Sequence, residues 1–493
     1  MTQRTFCIYC LLHITIASIF LTTDALQAKE SKANRGQKPI TPIQPIGFIE
    51  EAGKNTTAEC LKRSLDFYIS IMAKREYETY ATCGGWASSY SSDLKRRMGE
   101  WRPIGQDWVC IQNPGTPFVG RIMLQGYLVL GDQRYLDAAR EVGNLLLAGA
   151  SEYGGFACEM WLGPDRPHGV HQVAVKPPDR PRRFVKHGTM DDYVTQGAVE
   201  FLYQLWLVCR EEKYYKGYLR GLGFFLKAQK DNGSIPQAYP ARGHSALATF
   251  NDGVMLSVFQ ALVRGYQRTG DRNYFDAAMR IAQWVKNNRI GDSGWSAQTT
   301  DDGKPHGARS FEPPSVGAWP TLYAFIILTE AYEWTKDESL IEPMPGAYEW
   351  LKKAQLPNGK WARFYYTNTT RPRYRNADGE DVDDVKKTRP GYQWQDDWWG
   401  KTAIKIYDKF MNKKKDELVI PRVPKNGIKE DPADLILPKN DGRYPATISD
   451  IIAAQDSRGA FVWDGNISNR RFASYVAQLI RFLRDDREHG IQK

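Results

Sequence analysis

Cysteine is scarce in this 493-residue sequence, with seven in all. Cys7 and Cys10 lie in an apolar N-terminal run, which leaves Cys60, Cys83, Cys110, Cys158 and Cys209. No CxxC spacing survives among these five, which argues against a zinc site. Five is an odd number, so one or two disulfides with a thiol left over stay open. Long apolar runs are just as rare: the stretch from Phe6 to Leu21 is too short for a confident membrane span, and no other stretch approaches it. That excludes a multi-span membrane protein and predicts no stable membrane insertion. Basic blocks with interleaved aromatics are missing too, which speaks against a nucleic-acid partner. With 42% hydrophobic and 25% charged residues the chain is not a disordered one.

What is abundant is aromatic and basic. Fifteen Trp, 26 Tyr and 20 Phe supply flat faces that suit sugar rings or a large helical core. The 67 Lys and Arg against 57 Asp and Glu leave a net charge of +10, which favours an anionic partner. Arg4, the apolar run and the small residues Ala25 and Ala28 read as an export signal over 1–28, predicting a secreted or periplasmic protein. Residues 29–55, polar and with several prolines, read as a linker.

From there the sequence repeats itself. GDQRYLDAAREVGNLLLAG (131–149), EEKYYKGYLRGLGFFLKAQ (211–229) and GDRNYFDAAMRIAQWVKNN (270–288) each carry apolar residues three and four apart, the period of an amphipathic helix. Six closures with glycine and an aromatic or short strand-like piece punctuate the chain: CGGW at 83–86, YGGF at 153–156, NGSIPQ at 232–237, SGW at 293–295, NGKW at 358–361 and RGAFVW at 458–463. Further helices lie between them. The expected fold is all-α, an (α/α) toroid of helical hairpins over 56–490, with short strand-like segments in loops that gather at a groove. The charged, Pro-rich stretch at about 412–443 reads as an inserted loop.

Four segments stand out: MDDYVTQ (190–196); NGSIPQAYP (232–240) with TFNDGVM (249–255); GWSAQTTDDGKPHGARSFEPPSVG (294–317); and NGKWARFYYTNTTRPRYRNADGE (358–380). In order and spacing, over roughly 188–394, they resemble the family 10 pectate lyases, secreted enzymes that cleave polygalacturonate by elimination on an incomplete helical toroid. The resemblance implies Arg309 as the base, and Arg363 as the partner of a substrate carboxylate. Arg375, Trp295 and Trp361 are further candidates for binding substrate. Two departures stand beside it. Asp191 and Thr195 match the first pattern, whereas Asp192 and Tyr193 do not; and Ala377 occupies the place of an arginine in the last, with Arg373 and Arg375 nearby.

The chemistry is coherent. Uronate elimination removes the proton at C5 while charge builds beside a carboxylate, so cations placed there favour the transition state. Calcium, with six to eight oxygen ligands, can bridge protein carboxylates to a uronate, and Asp191, Asp192 and Asp252 are the candidates to hold it. An arginine base is awkward because guanidinium stays protonated far above neutral pH. Plainer roles compete. The aspartates can be helix caps or turn residues, the arginines surface ion pairs, and Trp295, Trp319 and Trp361 core. His168 and His171 read as surface residues. The reading is therefore a monomeric, calcium-assisted lyase acting on an anionic polysaccharide. Its rivals are a toroidal glycoside hydrolase using Asp192 and Asp252, and a carbohydrate-binding relative without turnover. A cyclase reading from AQLPNGKW (354–361) and the acidic run at 381–384 ranks below both.

Overall fold

The computed structural model describes residues 42–45, 54–100, 102–170, 186–412, 423–424, 427, 429–437 and 446–489. The export signal expected at 1–28 lies outside them, as does His171. Among the described residues the fold is all-α in class, with thirteen helices and strands of two to five residues in the connections. The helices are α1 Lys54–Ser70, α2 Thr116–Leu130, α3 Gln133–Gly149, α4 Val194–Cys209, α5 Glu212–Ala228, α6 Val254–Thr269 and α7 Arg272–Asn287. They continue as α8 Ala318–Thr335, α9 Met344–Lys353, α10 Gly400–Asn412, α11 Pro432–Ile436, α12 Ile448–Ala453 and α13 Asn469–His489. The chain divides into two compact units, one holding Met190–Tyr193 and Phe224–Ile428, the other holding Asn34–Thr189, Val194–Gly223 and Lys429–Lys493.

The hairpins share one joint. Gly131, Arg210, Gly270 and Lys336 follow α2, α4, α6 and α8 in left-handed conformation, with φ of 75°, 60°, 74° and 58°. Each N–H returns to the carbonyl four residues back, on Tyr127, Trp206, Tyr266 and Tyr332, at 2.7–2.9 Å. Asp132, Asp271 and Asp337 then accept from the backbone N–H two residues on, capping the next helix. The Gly-Asp pairs of the repeat are thus a helix stop followed by a helix start.

Five of the six expected closures are one and the same turn. In 151–155, 230–234, 290–294, 356–360 and 456–460 the first N–H donates to the fifth carbonyl and the fourth N–H donates to the first, at 2.8–3.0 Å. Gly154, Gly233, Gly359 and Gly459 hold the fourth place with φ between 74° and 97°, which glycine adopts without strain. The next residue is always buried: Phe156, Ile235, Trp295, Trp361 and Phe461. The sixth closure is different. CGGW is no turn, because Ala81–Gly85 pairs antiparallel with Ala73–Tyr77. Trp86 nonetheless keeps the common duty, fully buried with its indole N–H on the Tyr68 carbonyl at 2.7 Å.

The disulfides left open by the sequence are not formed: the five cysteines are separate buried thiols. Burial pushes Cys60 and Cys209 up to about 11 and Cys83 to about 12. Of the stretch read as a linker, Ile43 donates its N–H to Val208 O at 3.0 Å. Within the charged 412–443 segment, the Leu435 and Ile436 carbonyls accept from Arg121 and Gln125, both at 2.8 Å. No helix of the described residues is long and apolar enough to cross a membrane.

A Cβ at Gly233 would sit 2.5 Å from the Arg280 carbonyl, whereas one at Gly359 would meet nothing within 4 Å. Gly233→Ala is expected to cost at least about 2 kcal/mol from positive φ plus collision, and Gly359→Ala about 1 kcal/mol from φ alone. Thermal and urea unfolding of the two variants checks the difference.

Candidate functional site

The site is assembled by short strand pairs within the unit that holds 190–193 and 224–428. Ala248–Thr249 pairs with Gln298–Thr299, and His306 N–H reaches Gln298 O at 2.9 Å. Gly317 bonds Trp295 O, Val316 and Tyr365 bond each other, and Arg363 N–H meets Trp394 O at 2.9 Å. These links hold 250–253, 306–317, 363–366 and 392–396 side by side. Where they meet is a small open cleft whose walls include Asn251, Gln298, Glu312, Trp319 and Arg363.

Asp191, Asp192 and Asp252 offer carboxylate oxygens within 4.8 Å of one another. A single backbone device puts them there. Asp192 (φ 46°) and Tyr193 (φ 62°) are left-handed just before α4, and Asp252 (φ 49°) and Gly253 (φ 73°) repeat this before α6. The two short turns pack on each other. Left-handed non-glycine residues cost about 1–3 kcal/mol each, and such strain collects at functional sites. The donor set fits a hard divalent cation: three like charges so close repel, and a calcium ion accepts several such oxygens. Bunching of this kind suits a cation better than two carboxylates that must flank a sugar as acid and base. The plain role as helix caps does not account for the convergence of all three.

Arg309 feels the Asp252 carboxylate, whose charge helps raise its pKa. Its main partner is Glu312, which accepts from Nε at 2.8 Å and from an Nη at 2.5 Å. Burial works against the Arg309 charge, but the bonds and charge of Glu312 outweigh it, so the guanidinium is held above its usual pKa. For buried Glu312, burial pushes up, and the Arg309 bonds and charge, the Tyr392 hydroxyl (2.7 Å) and Arg363 carry it below the usual range. Arg309 is thus ion-paired, as the plainer role had it, but inside the site.

Arg363 is held differently. It is 9% exposed, with its guanidinium 4.2 Å from the Tyr392 ring centroid and 4.6 Å from that of Trp398. Two π-faces stabilise the cation without neutralising it, and its Nε has no hydrogen-bond partner among the described residues. Trp398 (φ 39°) and Trp399 (φ 56°) form a third copy of the left-handed pair, ahead of α10. Asp397 precedes them, its carboxyl pushed up by burial.

Three expected substrate contacts lie elsewhere. Trp295 and Trp361 are fully buried, with indole N–H groups on the Val285 and Leu351 carbonyls at 2.8 and 2.9 Å. They are core residues because each fills the apolar slot that follows a closure turn. Arg375 is engaged within the protein: it bonds Asp381 at 2.9 Å and the Ser310 carbonyl at 2.6 Å. With Arg373, which bonds Asp381 and the Pro314 carbonyl, it clamps the loop that carries Arg309. Ala377 is exposed in a turn whose Gly379 abuts Ser310. The acidic run at 381–384 is tied up by these arginines and by Arg371. His168 packs near Trp161. Glu312, Tyr392 and Trp398 were missed by the sequence reading. Glu312, three residues after Arg309, was open to an i,i+3 argument; nothing local signals Tyr392, eighty residues on.

Over residues 174–358 the chain matches the family model described as pectic acid lyase. Among solved structures it is similar to a family 10 polysaccharide lyase from Cellvibrio cellulosa in complex with trigalacturonic acid, at 19% identity and a TM-score of 0.44, covering 54% of this chain and 92% of that one. A GH76 α-mannanase from Bacteroides thetaiotaomicron matches at 13% identity and a TM-score of 0.39, covering 88% and 96%. An unsaturated glucuronyl hydrolase specific for heparin matches at 12% and 0.36, covering 88% and 99%. Among curated proteins, none matches in sequence.

Because Glu312 is depressed in the folded state, the stability it contributes is present above the ordinary glutamate range and is lost as pH falls through its lowered value. Glu312→Gln is expected to cost about 1.5–3 kcal/mol at pH 7. The gap from wild type should close progressively below pH 4.5, the unshifted glutamate value, in urea titrations over pH 3–7.

Proposed function

We propose that the protein is an exported lyase that cleaves polygalacturonate or a related polyuronate by β-elimination, assisted by calcium. The observation that carries this reading is Arg363, a cation buried between Tyr392 and Trp398 in the wall of the cleft, with no carboxylate hydrogen-bonded to it among the described residues. A uronate carboxylate supplies the missing anion through a bidentate pair. The family match over 174–358 and the trigalacturonic acid in the Cellvibrio lyase support the same substrate class.

In this reading Arg363 orients the sugar and withdraws charge from the carboxylate next to C5, which makes the C5 proton easier to remove. Asp191, Asp192 and Asp252 would hold the calcium, which when bound supplies further positive charge against the substrate carboxylate. Arg309 faces C5. While Glu312 grips it, Arg309 remains a cation and stabilises the charge that builds there. To act as base Arg309 must first lose a proton to water, which needs the Glu312 contact to loosen; it then takes the C5 proton, the freed electron pair forms the C4–C5 double bond as the C4–O bond breaks, and the departing oxygen takes a proton from water. Trp319 borders the cleft but is buried at 4% exposure, so it supports the wall rather than stacking on a sugar. Action outside the cytoplasm as a monomer completes the proposal.

Arg309→Lys is expected to abolish product absorbing near ~235 nm, the signature of an unsaturated uronide. Full activity in that variant removes Arg309 from the chemistry. Asp252→Asn should keep the fold but raise the calcium needed for half-maximal rate by about tenfold or more, one lost charged ligand being worth at least 1.4 kcal/mol. An unchanged calcium titration would locate the ion elsewhere.

A further inference from the structure

Far along the chain from the cleft residues, Trp463 is 64% exposed, whereas the other large exposed apolar side chains are Met411 at 47% and Phe482 at 37%. It ends the strand Val462–Trp463, which turns through Asp464 (φ 48°) and Gly465 (φ 67°) into Asn466–Ser468. That hairpin lies at one side of a five-stranded sheet with Ser89–Ser91, Arg97–Met98 and Pro103–Ile104. The register pairs Trp463 with Asn466 and Asn466 with Ser91, and Ser91 N–H bonds Arg96 O at 3.0 Å.

Pleating then sorts the side chains. Ile467 and Tyr90, one step over, are buried at 1% and 2% exposure and face the core. Trp463, Asn466 and Arg96 lie on the opposite face and are exposed, whereas Ser91 between them is covered, at 7% exposure; the row spans about 14 Å at about 4.8 Å per strand. The Arg471 guanidinium lies 4.2 Å from the Trp463 ring centroid and is tethered to the Tyr475 hydroxyl at 3.2 Å. Arg96 is exposed at the far end of the row.

We propose that the exposed residues of this row form an accessory binding site for an acidic polysaccharide, with the indole of Trp463 as the stacking platform, Arg471 adding positive charge where it already lies against that ring, and Arg96 as the carboxylate partner. An indole face suits a pyranose ring, and the cations mark the sugar as charged. Asp93 and Asp464 sit within the same patch, Asp93 accepting from the Ser91 hydroxyl at 2.6 Å. Such mixed charge disfavours a nucleic acid, whose dense phosphates need a uniformly basic track, and tolerates a glycan with at most one charge per sugar. The site would hold polymer without taking part in cleavage. The glycan class rests on the uronate reading of the cleft; binding at Trp463 does not.

The test uses the full chain with Arg363→Ala, or Arg363→Lys should the first not fold, so that the cleft contributes little. Native gels are cast with polygalacturonate, alginate, heparin, neutral galactan or duplex DNA. Acidic glycans should retard the protein and galactan should not. Adding Trp463→Ala should weaken the retardation about tenfold, equivalent to about 1.4 kcal/mol, and Arg96→Ala should weaken it in the same direction. Trp463→Ala alone should leave turnover of trigalacturonate at the wild-type rate. Retardation that survives Trp463→Ala overturns the proposal, as does tighter retention by DNA than by every acidic glycan. Should wild type fail to cleave any uronide, the cleft reading fails, while Trp463-dependent retardation still decides this one.

Discussion

The buried guanidinium of Arg363 sets the terms for the cleft. A cation removed from water needs compensation, usually a carboxylate in contact. Here Tyr392 and Trp398 give it π-faces, with Glu312 as a more distant negative charge. The charge is stabilised and still available. Arg309, on the 306–317 loop, is the opposite case, engaged by both oxygens of Glu312. In the proposed reading, an open cation, an engaged cation and a triplet of carboxylates suit an anion that arrives together with a metal.

Such an arrangement needs a stiff frame, since the opposing charges would otherwise collapse onto one another. The frame is made of many two-residue strand pairs and backbone bonds linking 249 to 298, 295 to 317, 316 to 365 and 363 to 394. Arg373 and Arg375, held by Asp381, pin the Ser310 and Pro314 carbonyls from outside and so fix the Arg309 loop. Charges positioned before substrate arrives reorganise little during reaction, which is where electrostatic catalysis gains.

Much of this was legible in the sequence, for identifiable reasons. The Gly-Asp joints and five of the closure turns follow local rules of φ and capping, so they could be read from a few residues. The aspartates and the two arginines came through motif spacing. CGGW misled because glycines also permit close strand packing: Cβ atoms at Gly84 and Gly85 would strike Met72 and Thr116. Trp295 and Trp361 misled because an aromatic after a turn looks the same whether it faces sugar or core; the buried Phe156, Ile235 and Phe461 at equivalent places were the clue. Arg375 was drawn away by Asp381, six residues later. Tyr392 and Trp398 depend on contacts between distant segments, and no local pattern announces them.

The left-handed pair before a helix occurs at 192–193, 252–253 and 398–399. Two copies present a carboxylate at their first residue and the third presents an indole. One backbone template therefore serves opposite electrical purposes, gathering anions in two places and cushioning a cation in another. The division of labour was available to the chain by exchanging side chains on a shape it already possessed, without redrawing its path, and each copy can be retuned while the others keep their office.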